Sequence, residues 1–150
     1  MIMTWITEED SWRSALNKVP SIADRFIPYY DAQWHLPQIP ATTLELCRLR
    51  LAQLHQSAAE FASENVALPP GKRNELLRWA SSTSFDAAEK ACLELTEVYA
   101  MDVTAITDEQ AEAVKVHYGD AGLVALIQSL GVFYGMTRVS LLWDLPVANT

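Results

Sequence analysis

Six apolar residues, Leu44, Cys47, Leu51, Leu54, Ala58 and Phe61, recur in steps of three and four through the stretch LELCRLRLAQLHQSAAEF. Only an α-helix gathers positions with that spacing on one side, so the stretch predicts a core-facing helix from about Thr42. A second start signal lies inside it. Residues 57–60, SAAE, have the Ser-x-x-Glu form in which the serine oxygen accepts from the third amide and the glutamate reaches back. A new helix running from Ser57 to about Asn65 implies a kink near His55 and Gln56. No glycine or proline marks that junction, and one unbroken helix fits the same pattern. On an unbroken helix Glu45 and Ser57 stand roughly 18 Å apart along the axis; a break brings them together. The working expectation is the break, with Glu45 at hydrogen-bond range of His55 or Ser57 in a cavity lined partly by tyrosine or tryptophan.

The rest of the chain reads as helix too. Thr7 is placed to cap a helix through about Lys18, with Glu8, Glu9 and Asp10 on its first-turn dipole. Residues 20–40 form an aromatic-rich approach whose prolines predict no continuous element. LPPGK at residues 68–72 breaks the chain before a short helix at 74–81 around Trp79. Ser84 is the expected cap of a helix over 85–100, in which Ala88, Ala91, Cys92, Leu95 and Val98 share one face. TDEQ at 107–110 has the form of a capping box and opens a helix to about Tyr118. Gly119 ends it, Asp120 starts a long final helix, and Pro146 closes that one. No repeat or convincing strand interrupts the series. The expected fold is all-α, in a single domain over residues 1–150 with its core at about 20–146 and the first helix, 7–18, appended.

Charge and composition narrow the function classes. A net charge of −8 disfavours nucleic acid and anionic membrane, which select basic surfaces. The uncharged run AGLVALIQSLGVFYGM, residues 121–136, is shorter than the roughly 20 residues of a membrane span and reads as a helix buried on all sides, in the protein or in an oligomer. MIMTWITEEDSW turns acidic before any apolar core forms, which is not a secretory signal. Two separated cysteines, Cys47 and Cys92, supply neither a disulfide framework nor metal-ligand spacing, which fits a cytoplasmic setting. Both fall on apolar faces and read as small buried hydrophobes. His35 and His117 are isolated, so no metal and no cofactor is expected. Gly131-x-x-x-Gly135 is a candidate for close helix contact, and Tyr29, Tyr30 and Trp34 are candidates for a pocket mouth or the core.

Taken in order, these residues resemble a known family. LELCRLRLAQLHQSAAEF is similar to the core of the alkylhydroperoxidase D (AhpD)-like and carboxymuconolactone decarboxylase superfamily. Glu45, Arg48, Leu49, Ala52 and Gln53 match its first part. The similarity continues through Trp79, Phe85, Glu89, Leu93, Glu97, Val103 and Thr107 to Arg138, covering about residues 20–146. It implies an AhpD-like helical bundle that assembles as a trimer or hexamer, with a peroxide or a small organic acid as ligand. It also implies where the site lies: the family's Cys-x-x-Cys pair falls at Ser57 and Glu60, its histidine at Glu64, and its upstream glutamate at Glu45.

The departures fall on the chemistry. A cysteine at a helix start gains thiolate character and a second one resolves its oxidised sulfur. Serine is a weak nucleophile without a base and cannot take that route. Glu45, His55, Ser57, Glu60 and Glu64 remain as candidates for a polar site, His55 being the one whose ordinary pKa lies near neutrality. The alternative assignment of the same residues is structural: Glu60 a cap, Glu64 solvated, His55 a partly exposed helix residue. Three functions follow. One is a degenerate or thiol-independent AhpD-like protein. The others are an acid–base enzyme on a small organic acid or lactone using Glu45 with His55, and a non-catalytic oligomeric binding or scaffold protein.

Overall fold

The computed structural model describes residues 5–6 and 9–148, and it is all-α. In chain order the helices are α1 (Trp12–Leu16), α2 (Pro20–Ala32), α3 (Ala41–Leu54), α4 (Ala58–Ala62), α5 (Lys72–Glu75), α6 (Ala87–Met101) and α7 (Asp108–Trp143). Helix α3 is the centre of the fold. Every residue from 43 to 49 is buried, polar ones included, because α6, α7 and α4 all pack against it. The predicted one-sided seam therefore understates its burial. After Leu54 the seam ends, since Ala58 is exposed and Phe61 only half-buried beyond the break.

Local chemistry explains the helix boundaries. The hydroxyl of Thr107 accepts from Gln110 N–H while the Gln110 side chain accepts from Thr107 N–H, completing the expected box. Gly119 takes φ 69°, ψ −174°, and kinks α7 into two helical segments where the sequence predicts two helices. Three residues on, Gly122 lies so close to the Tyr118 side chain that a Cβ would collide with it, and the Gln38 carbonyl would be crowded at 3.1 Å. The glycine pair 131 and 135 meets no such neighbour, so it is Gly122 that permits the close approach.

Several boundaries differ from expectation. Thr7 and Glu8 lie outside the described residues; Ser11 caps α1, its oxygen accepting from Ser14 N–H, and Glu9 pairs with Lys18 at 3.0 Å. Pro20 opens α2 at its first turn, and Pro28 lies within it on an exposed face, where water can satisfy the carbonyl that a proline leaves without its N–H. A continuous helix thus replaces the interrupted segment. The helix expected at 74–81 starts earlier, as α5 followed by a 3₁₀ turn at Leu76–Arg78. Asp86, not Ser84, caps α6: Asp86 and Glu89 exchange side-chain and backbone hydrogen bonds at 2.8 and 3.0 Å.

The aromatics of the N-terminal approach close the core. Trp34 stacks on Phe133 of α7 at 5.1 Å, and Tyr30, fully buried, meets Trp12, Trp34 and Phe133. Of these candidates Tyr29 borders a groove, while Tyr30 and Trp34 are buried. Helix α7 is long and apolar enough to cross a membrane by length and composition, but here it packs against α3 and α6. It is not buried on all sides: Val124, Ile127, Leu141 and Leu142 remain open on the single chain.

Candidate functional site

The break between α3 and α4 sets the geometry. Gln56 adopts φ 58°, the left-handed conformation that usually goes to glycine at a helix end. Ser57 N–H donates to the Ala52 carbonyl at 2.8 Å and Gln56 N–H to Gln53 at 3.1 Å. These two bonds are the 6→1 and 5→2 pair of a Schellman motif. Ser57 then caps α4, accepting from Glu60 N–H at 3.4 Å. The reciprocal half of the predicted box does not form, because the Glu60 carboxylate is engaged elsewhere.

Glu60 points at Arg48. The guanidinium of Arg48 is buried and uses all five of its N–H groups. Nε donates to Glu45 Oε1 at 2.6 Å, and Nη2 to Glu45 Oε2 at 3.0 Å and the Ser63 carbonyl at 2.8 Å. Nη1 donates to Glu60 Oε1 at 2.6 Å and to the Glu60 carbonyl at 2.9 Å. The remaining charge is met by backbone. Glu45 Oε2 also accepts from the amides of Asn65 and Val66 at 2.8 and 3.3 Å. Glu60 Oε2 accepts from Val147 N–H at 2.7 Å, which ties the chain after α7 onto α4. Asn65 Nδ2 donates to the Tyr30 hydroxyl at 2.9 Å. Burial, then the Glu60 charge, hold the Tyr30 phenol well above its ordinary pKa, so it stays protonated.

The predicted site residues therefore separate. Glu45 and Glu60 come together, but through Arg48. No hydrogen bond joins Glu45 to Ser57 or His55, which corrects the expected geometry: the break turns Ser57 toward α7, where its hydroxyl meets that of Ser140 at 3.2 Å. Helix α4 stops at Ala62, short of the expected Asn65, and Glu64 lies beyond it on the exposed surface. His55, the last residue before the turn, lies edge-on to Tyr134 with ring centroids 4.7 Å apart. It lines a cleft with Arg138, Leu141 and Leu142. His35 and His117 are exposed.

What the arrangement can do follows from these partners. Both buried carboxylates accept from a fixed cation and from backbone amides. Ser57 has a second serine rather than a base as its neighbour. Cys47 and Cys92 are fully buried, between α3 and α6. Desolvation pushes the Cys47 thiol up to about 12 and raises that of Cys92 as well, the opposite of what a peroxidatic thiolate needs.

Sequence reasoning underrated Arg48 and did not find Asn65, Ser140 or Val147. The Arg48 signal was present: a Glu–Arg pair at i, i+3 among leucines predicts a buried ion pair as readily as a solvated one. The fold and site define an all-α protein built around a buried glutamate–arginine–glutamate cluster at a helix break. No protein-family model and no curated protein sequence matches the chain.

Proposed function

We propose that the chain is a thiol-independent, redox-inactive relative of the AhpD-like and carboxymuconolactone decarboxylase proteins, in which the place of the Cys-x-x-Cys pair serves structure. The observation that carries this reading is the saturation of Arg48: five donors, five hydrogen bonds, shared between two carboxylates and two backbone carbonyls. A reaction centre keeps at least one group free for substrate, and this cluster has none to spare. Acid–base work by Glu45 with His55 loses its support for the same reason. A binding role remains compatible. Self-association belongs to the same reading, supported by the apolar surface that α7 leaves open at Val124 and Ile127.

Glu45→Gln tests the structural role. The amide keeps the shape of the side chain but turns an NH₂ toward donors that need an acceptor. A hydrogen bond to a charged group is worth about 1.5–3 kcal/mol, so the variant should melt lower by several degrees. A melting temperature equal to or above that of wild type would contradict the proposal and return Glu45 to the catalytic candidates.

A further inference from the structure

His55 takes no part in the ion cluster, and the cleft it lines is about 290 Å³ in volume. Two groups there have unused bonding capacity. Arg138 is exposed and, among the described residues, has no carboxylate within salt-bridge range; its hydrogen bond is from Nη1 to the Tyr134 hydroxyl at 3.3 Å. Arg13, Arg48, Arg50 and Arg78 each hold a carboxylate, and Arg25 and Arg73 donate to backbone carbonyls. His55 Nδ1 is buried without a hydrogen-bond partner. An orphaned N–H is rarer than an orphaned acceptor, which favours the tautomer with the proton on Nε2, as a donor for the cleft. Leu141 and Leu142 line the same cleft with 45% and 52% of their surface exposed. Large apolar side chains beside an uncompensated cation describe a site for a molecule with the complementary halves.

We infer that this cleft binds a small monocarboxylate, the carboxylate received by Arg138 and His55 Nε2–H and its apolar tail laid over Leu141 and Leu142. The cleft, about 290 Å³, is larger than the roughly 150 Å³ that holds benzene, so a chain of about six carbons fits it. The protein's charge of −8 selects a singly charged acid over a polyanion. Burial and then the Arg138 charge lower the His55 pKa, which favours the neutral ring, and a carboxylate offsets the second of these effects. The inference stands apart from the proposed function, because, among the described residues, the hydrogen bonds and ion pairs of Arg48 involve none of these side chains.

Titration of the full chain with hexanoate, followed by calorimetry or by NMR shifts, tests it. Saturable binding is expected, with hexanol at least about tenfold weaker because it brings no charge. Arg138→Gln should weaken hexanoate by about tenfold, the equivalent of one charge-assisted hydrogen bond, without changing the melting temperature. Leu142→Gln should weaken it too, and Lys90→Gln, a half-buried cation away from the cleft, should leave it unchanged. Absence of saturation, equal binding of hexanol, or Arg138→Gln binding like wild type would each overturn the assignment.

Discussion

Replacing Arg48 with methionine removes the centre of the ion cluster while keeping most of the side chain's length and apolar volume. In the wild type the guanidinium holds Glu45 and Glu60 at 2.6 Å each and is 1% exposed. Without it, Glu45 keeps the amides of Asn65 and Val66 and Glu60 keeps that of Val147, but two carboxylates then share a buried site with no cation. Removing one partner of a buried ion pair costs about 3–5 kcal/mol, a large share of the about 5–15 kcal/mol that holds a domain together. At about 2–4 °C per kcal/mol for a chain of this size, the melting temperature should fall by roughly 6–20 °C. Thermal and urea unfolding followed by circular dichroism read this directly. The triple variant Glu45→Leu, Arg48→Met, Glu60→Leu should recover only part of the loss: no charge is left unpaired, but the amides of Asn65, Val66 and Val147 lose their acceptors. An Arg48→Met protein that melts within a degree or two of wild type would refute the reasoning, since the guanidinium would then hold nothing together.

Gln56→Gly should stabilise the chain by up to about 1 kcal/mol: the left-handed conformation costs an L-residue roughly 1–2 kcal/mol, offset by glycine's larger loss of backbone freedom, and the exposed Gln56 side chain gives up no burial. A lower urea midpoint in that variant would count against the Schellman geometry. His55 should titrate below its ordinary value in an NMR pH series, and Arg138→Gln should move it upward. The sign for stability follows: the unfolded chain binds the proton more readily, so the His55 contribution is full above the unfolded pKa and is lost as pH falls through it toward the folded value. A His55 that titrates at or above the unfolded value would contradict its burial beside Arg138.

Signals that act within one turn of helix were legible in the sequence. The Thr107–Gln110 box and the kink at Gly119 depend on neighbours, and both formed as expected. The α6 cap was legible and misread: Asp86 with Glu89 is the better Asp-x-x-Glu pair, and Ser84 lacks a partner three residues on. At the break the start signal, Ser57, was readable, but the stop signal was not, because a glutamine stands where a glycine would announce it. Half the candidate site was beyond reach for a different reason. Arg48 competes with Ser57 N–H for Glu60 and wins, and the other carboxylate oxygen of Glu60 accepts from a backbone amide 87 residues away. Backbone donors carry no residue identity, so no pattern in the sequence points to Asn65, Val66 or Val147 as partners.

Dithiol-dependent consumption of hydrogen peroxide by the full chain tests most directly whether this frame has left redox chemistry behind. With Cys47 and Cys92 buried and their thiols raised, turnover should not exceed the protein-free rate, and Cys47→Ser and Cys92→Ser should match wild type. Rapid peroxide turnover that disappears when either cysteine is replaced would show a working thiol pair in the core and contradict a structural role for the helix break.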